Sequence, residues 1–301
     1  MPAISSAGTL SSAEARAVLR EACSRAGIDG TEAELIRLGE NAIFRLAAEN
    51  VIVRIGRGPE VLKDAEKEVA VASWLHRFAF PAAQPTAHVQ PIVVEGRPVT
   101  FWRLIEDSGF KAPLEDLARA LRELHRLPVP ADLPLPSFNI FGRVAGRIAS
   151  ASILQADERQ FLTQRLHQLQ NDYMGLNFTL PAAAVHGDAH QSNLIRRPDG
   201  TAVLIDFERF AFGPPEADLA MTATEYLVGW HSDAEYKNFA DTYGFDITSW
   251  DGFPVFRAIN ELTMTTWLMQ NVSESDRVAR EFRTRMASLH DDNAPRHWSP
   301  F

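Results

Sequence analysis

The chain has 301 residues, 46% hydrophobic and 23% charged, a globular balance that excludes a disordered chain and leaves room for one large domain or two lobes. Cys23 is the only cysteine, which excludes an intramolecular disulfide and a cysteine-built zinc site. The net charge of −9 is uneven: residues 186–301 hold 18 acidic and 10 basic side chains, residues 1–105 hold 12 of each, and an acidic third of this kind repels nucleic acid and attracts cations.

The opening MPAISSAGTLSSAEARAV lacks a basic stretch followed by an apolar one, and no apolar run approaches 18 residues. A cytoplasmic protein without a membrane span is expected. Residues 11–26 carry Ala, Val and Leu at helical spacing behind serine caps, and Gly27 and Gly30 end that helix. AELIRLG (33–39), NAIFRLA (41–47) and VIVRIG (51–56) read as strands, the last two joined tightly through AAEN. Residues 60–79 alternate charged and apolar groups at helical period until Pro81. HVQPIVVEG and RPVTFWRLIE form another strand pair around EGRP. After Ile105 the character changes. Residues 113–127 form an amphipathic helix with proline in its first turn, and one or two helices follow over 145–175. Two short apolar runs, AAAVHGD and TAVLIDF, flank the most polar loop, and the chain from 216 onward reads as helical. The pattern predicts a small mixed lobe over 1–105, a hinge near 101–106, and a larger, mainly helical lobe over 106–301.

The stretch VHGDAHQSNLI places two histidines, an aspartate and an asparagine within eight residues. His186, Asp188 and His190 alternate, so on an extended segment they would share one face, as zinc ligands in a hydrolase can. A second reading uses more residues. Asp188 and Asn193 are five apart, and Asp206 ends the apolar run AVLI eighteen residues after Asp188. A carboxylate at a strand end and an amide oxygen suit magnesium, a hard cation that keeps room for phosphate oxygens. Asp188 would then be free to accept the proton of an attacking hydroxyl.

HGDAHQSN, followed by LIDFER and GPPEADLA, resembles the aminoglycoside phosphotransferase and choline kinase superfamily, whose pattern is HGDxxxxN, an apolar strand ending in Asp plus an aromatic, and G-x-P-x-x-D-L-A. The three blocks occur in order, and the likeness extends diffusely over about residues 30–290. It implies an α+β, bilobal protein-kinase-like fold with a small antiparallel-sheet lobe. It implies Asp188 as catalytic base, Asn193 and Asp206 as Mg2+ ligands, and His186 and Asp218 as structural supports of the catalytic loop. Upstream, Arg54 matches the basic residue that touches nucleotide phosphates, here Arg and not Lys, and Glu68 its helix partner. Gly39, Glu40 and Asn41 occupy the phosphate-loop position. FWRLI, with Trp102 and Leu104, matches the hinge whose backbone reads the base.

The resemblance implies transfer of a phosphoryl group from a nucleoside triphosphate, ATP or GTP, to a hydroxyl of a small molecule. Residues 216–251 hold eight carboxylates and one basic group, Lys237, which favours a cationic acceptor such as an aminoglycoside. His190, Glu208, Glu225 and Asp233 are candidate acceptor contacts. An amino sugar, sugar, choline-like or homoserine-like acceptor fits the same motifs. A nucleotide-binding module without turnover and the zinc hydrolase on His186, Asp188 and His190 stay as readings from other classes.

Overall fold

A computed structural model of the protein describes residues 10–301 except 40, 134, 274, 292 and 293. Its contacts divide the chain into two compact units.

The first unit runs to Ala112 and adds Pro128–Leu135 and Ser192–Phe210. Helix α1 (Ser12–Ala26) begins with a capping box, in which the Ser11 hydroxyl accepts from the Glu14 N–H and the Glu14 carboxylate accepts from the Ser11 N–H. It ends at Gly27, whose φ of 70° is a left-handed cap suited to glycine. Strands β1 (Glu34–Leu38), β2 (Ala42–Leu46), β3 (Val51–Ile55), β4 (Ile92–Val94) and β5 (Arg97–Arg103) form an antiparallel sheet in the order β1-β2-β3-β5-β4. Alternation sorts the two faces. Phe44, Val53, Ile55, Val99 and Phe101 pack with Val18 and Leu19 of α1 into the core. The register sets Ile43 opposite Arg54, Arg54 opposite Thr100, and Ile52 opposite Trp102, so these five share the other face.

Helix α2 (Leu62–Arg77) packs on β5 and stops where Ala79 turns left-handed at φ 53°, just ahead of Pro81. A hairpin of β7 (Leu194–Arg196) and β8 (Ala202–Leu204) joins this unit. The Ala83 N–H donates to the Leu204 carbonyl at 2.8 Å, the Leu204 N–H to Pro81 at 2.9 Å, and the Ser108 N–H to Arg196 at 2.8 Å. Linear order hides this grouping, because the hairpin arrives ninety residues after the sheet is complete.

The second unit is mainly helical: α3 (Leu114–Leu124), α4 (Val144–Ser150), α5 (Ala156–Met174), α6 (Glu216–Leu227), α7 (Asp233–Tyr243), α8 (Phe253–Leu268) and α9 (Asp276–Leu289). Helix α8 carries apolar residues around most of its surface and is the centre of the unit, touching α4, α5, α6 and α9. Helix α3 lies against α7. Strand β6 (Ala183–Val185) pairs with β9 (Ala211–Gly213). At Gly213 a side chain would collide with Phe138, whose Cβ lies 2.4 Å from where a Cβ would stand. Among the described residues no helix is long and apolar enough to cross a membrane.

Candidate active site

In the first unit, the residues turned away from α1 build a charged pocket. Arg54 Nη1 donates to Glu68 Oε2 at 2.6 Å, and Nη2 reaches Glu208 Oε2 at 3.4 Å. With its amide oxygen facing the guanidinium, Asn41 accepts from Arg54 Nη2 at 2.9 Å and from Nε at 3.1 Å. Burial opposes the Arg54 charge, but Glu68, Asp206 and Glu208 outweigh it and hold the cation firmly charged. Burial pushes the Glu68 carboxyl up to about 7; Arg54 pulls it back, and Asp206 and Glu208 push it further up. Lys67 donates to the Glu208 carbonyl, tying α2 to the segment after Asp206. Asn41, Arg54, Arg57, Glu68, Thr100 and Glu208 are among the residues lining this solvent-open pocket of about 430 Å³.

Of the loop candidates, Gly39 donates its N–H to the Asn41 carbonyl at 3.1 Å and Glu40 lies outside the described residues. Trp102 is buried, its Nε1 donating to Thr100 Oγ1 at 2.9 Å. At the expected hinge the Leu104 N–H is already engaged. It donates to the Asn50 carbonyl at 2.8 Å, because β3 begins beside the end of β5, so that group cannot read a base. The Leu104 carbonyl and the Ile105 N–H have no hydrogen-bond partner among the described residues. Glu208, expected to meet the acceptor, stands 3.4 Å from Arg54 Nη2.

The β7–β8 hairpin sets Asn193 and Asp206 at its adjoining open ends. Leu194 pairs with Leu204, and the Asn193 carbonyl accepts the Ile205 N–H at 3.0 Å, extending the ladder by one residue toward Asp206. Asp206 itself takes φ 65°, a left-handed conformation uncommon for a residue with a Cβ. Asn193 is buried and Asp206 exposed. One amide and one carboxylate are hard oxygen donors, so the pair suits Mg2+ or a similar cation that retains other oxygen ligands.

In the second unit, Asp218 on the first turn of α6 collects hydrogen bonds from the loop after β6. Its Oδ2 accepts the His186 N–H at 2.7 Å and its Oδ1 the Gly187 N–H at 2.8 Å. His125, just past the end of α3, places Nε2 3.0 Å from Oδ2. Burial alone would raise the Asp218 carboxyl, but His125 above all, with His186 and the Gly187 N–H, holds it below the usual range. Glu216 serves the chain before β6 in the same manner: its Oε1 accepts the N–H of Thr179 at 2.7 Å and of Leu180 at 2.8 Å. Gly187 has φ 78°, so the chain turns sharply immediately before Asp188.

That turn removes the zinc-hydrolase reading. His186, Asp188 and His190 do not run along one extended face: His186 is fully buried, while His190 Nε2 stands 3.9 Å from Asp188 Oδ2 with both side chains about one-third exposed. Among the described residues no three His, Cys, Asp or Glu side chains converge to hold a metal ion. Glu225, the second acceptor candidate, is buried and 3.0 Å from His231 Nε2. Asp233 is exposed and accepts from the Tyr226 hydroxyl at 3.0 Å. His125, Tyr243, Lys67 and Glu216 escaped the sequence reading; only the lone histidine ending an otherwise regular amphipathic helix gave a signal.

A family model described as the phosphotransferase enzyme family matches residues 34–253. The chain belongs to that family. It is a small-molecule phosphotransferase acting on hydroxyl groups, and the family is the one its three motifs resemble. No curated protein matched in sequence. Among solved structures, the chain is similar to APH(2")-IIIa in its GDP and kanamycin complex (14% identity, TM-score 0.66, covering 91% of this chain and 99% of that one). It is also similar to an amicoumacin kinase in complex with AMP-PNP, Ca2+ and Ami (14%, 0.71, 95% and 97%). A choline/ethanolamine kinase family protein from Mesorhizobium loti aligns at 19% identity and TM-score 0.63, covering 95% and 96%. The mixed fold with an antiparallel-sheet N-terminal part is thus that of protein-kinase-like phosphotransferases.

Proposed function

We propose that this phosphotransferase moves the terminal phosphoryl group of ATP or GTP to a hydroxyl of a small cationic acceptor, in the cytoplasm, with Mg2+ as the metal. The observation that carries the reading is the hairpin that brings Asn193 and the left-handed Asp206 to adjoining ends. These two would hold the ion, whose chemistry is to neutralise phosphate charge. Arg54, braced by Glu68 and Asn41, offers its guanidinium to the phosphates in place of Glu208, which it holds only at 3.4 Å. Ile43, Ile52 and Trp102 share the Arg54 face of the sheet and give the base an apolar surface. Asp188 accepts the proton of the attacking hydroxyl, a role worth roughly 10²–10⁴ in rate. Asp218 fixes the loop carrying it by holding the two preceding amides.

The charge of residues 216–251 supports a cationic acceptor less broadly than a count of carboxylates does. Glu216 and Asp218 bind backbone amides, and Glu225 faces His231. Asp233, Glu235, Asp241, Asp246 and Asp251 remain exposed, with Asp241 paired to Lys237 and Asp246 accepting from the Tyr236 hydroxyl, and they would attract a polyamine-like molecule such as an aminoglycoside. A choline-like or other amino alcohol is the second reading, favoured by the small number of those charges.

The test is a coupled assay of nucleotide turnover with ATP or GTP and Mg2+. Its acceptor panel holds aminoglycosides, amino sugars, choline-like and homoserine-like alcohols, and neutral sugars. Acceptor-dependent release of nucleoside diphosphate with a cationic member, lost in Asp188→Asn, is expected. Turnover only with a neutral sugar overturns the charge argument. Tight nucleotide binding without turnover on any acceptor replaces the kinase with a binding module.

A further inference from the structure

The hydrogen bonds that hold the loop before Asp188 do not end at Asp218. His125 Nδ1 lies 2.9 Å from the Tyr243 hydroxyl, while its Nε2 faces Asp218 Oδ2 at 3.0 Å. The imidazole is buried, and the tyrosine ring meets it edge-on at 5.7 Å between centroids. We propose that Tyr243 is a positioning residue for phosphoryl transfer: its hydroxyl fixes the tautomer of His125, and His125 through Asp218 fixes the backbone that presents Asp188.

Chemistry sets the direction of each bond. An ionised Asp218 only accepts, so the shared hydrogen belongs to His125 Nε2. In the neutral ring Nδ1 is then an acceptor, and the Tyr243 hydroxyl is a donor in reach. Burial, with Asp218 and Glu216 nearby, raises the Tyr243 hydroxyl well above its ordinary value, so it keeps its proton. Without that donor the other tautomer, with hydrogen on Nδ1, loses its penalty. Nε2 would then turn a lone pair toward the carboxylate, and Asp218 would lose the partner that aims it at the His186 and Gly187 amides.

The placement of Tyr243 is itself well determined. It is the last residue of α7, stopped by Gly244 at φ 90°. The same helix end is tied to α3 by Arg122 Nη1, which donates to the Thr242 carbonyl at 3.2 Å. The hydroxyl is therefore delivered by two helix termini, not by a mobile loop.

The kinetic part rests on reading Asp188 as the base; the structural part does not. The experiment compares the wild type, Tyr243→Phe, His125→Gln and the double variant by two measurements. Hydrogen exchange of the backbone amides around 183–188, followed by mass spectrometry, reads the loop directly. Mg-ATP and Mg-GTP hydrolysis, with water as acceptor, reads catalysis. Tyr243→Phe keeps the ring and its packing. It should speed exchange at His186 and Gly187 by about tenfold and lower kcat about three- to tenfold with KM for nucleotide unchanged. Added to His125→Gln it should do nothing further, since both act on one chain of bonds. Unchanged loop exchange in Tyr243→Phe, or effects that simply add in the double variant, overturns the proposal. Faster exchange with unchanged hydrolysis would leave Tyr243 a structural support and overturn its part in the reaction. If the wild type hydrolyses no nucleotide with water, the acceptor that supports turnover in the panel above takes its place in the assay; if no acceptor supports turnover, the kinase reading fails, and the exchange data still decide the hydrogen-bond chain.

Discussion

Arg54 and Glu68 meet at 2.6 Å across the space between β3 and α2, and the carboxylate side of the pair is 7% exposed. A carboxylate so dry is held ionised only by its partner, and Asp206 and Glu208 work against it. Its carboxyl is pushed to about 7 in the folded protein, against an ordinary 4.5. The folded state therefore binds the extra proton more tightly. Its contribution to stability is full below about 4.5 and is lost as pH rises through about 7. In nucleotide-free protein, wild type should lose stability relative to Glu68→Gln between pH 5 and pH 8. Thermal unfolding of both variants across that range measures it; a constant difference would show that Glu68 does not titrate there.

The loop buttress makes a different prediction. Asparagine at 218 supplies one acceptor oxygen where the carboxylate supplies two, so either the His186 or the Gly187 N–H faces a donor. A buried amide left without an acceptor costs about 1–3 kcal/mol. Asp218→Asn should lower urea-unfolding stability by about that amount and reduce turnover as well. Because the Asp218 carboxyl is held below its ordinary 3.8, its contribution is present above that pH and is lost as pH falls through its folded value. Acid unfolding should begin at a higher pH in the variant, which already lacks the ionised form.

The sheet, α1, α2 and the three-block site were readable because each rests on local information: alternation, caps, turn residues and fixed spacing. Arg54, for instance, is determined by its place on β3, whose alternate residues face α1. What stayed hidden needs distance. His125 precedes Asp218 by 93 residues and Tyr243 by 118, and nothing in an amphipathic helix says where its terminal ring points. Glu208 and Glu225 show the converse. Both are candidate acceptor contacts on sequence, and both turn out to face a basic partner, Arg54 and His231. The count of carboxylates after residue 216 was visible; which of them face solvent was not.

Cys23 offers a test of the first unit that needs no substrate. It lies on the buried side of α1, where burial, with a smaller push from Asp29, raises its thiol to about 11. At pH 8 it should resist alkylation in the folded protein and react once urea unfolds it. A Cβ added at Gly30 would stand 3.0 Å from the sulfur. Gly30→Ala should therefore loosen this packing and speed the labelling. Rapid alkylation of the wild type would mean that α1 does not stay docked on the sheet.

At Asp206 the proposed function and stability pull in opposite directions. Its φ of 65° is costly for a side chain with a Cβ and free for glycine. Its carboxylate is exposed, so removing it leaves no buried group without a partner in this unit. It also lies near Glu68 and Arg54, whose charges feel it in opposite senses: it raises the carboxyl of the first and helps keep the second charged. Asp206→Gly should relieve the strained backbone and stabilise the protein by up to about 1 kcal/mol. The same change removes one of the two proposed metal ligands. Magnesium-dependent turnover should vanish, and any stabilisation of the wild type by Mg2+ with nucleotide should disappear with it. Asp206→Asn keeps the side-chain shape and an oxygen but not the charge, so it should lose turnover without the gain in stability. Calorimetry and turnover on the three proteins separate these effects. If Asp206→Gly melts lower than wild type, the left-handed turn is held by interactions of the carboxylate itself; if it keeps its turnover, the metal is held elsewhere.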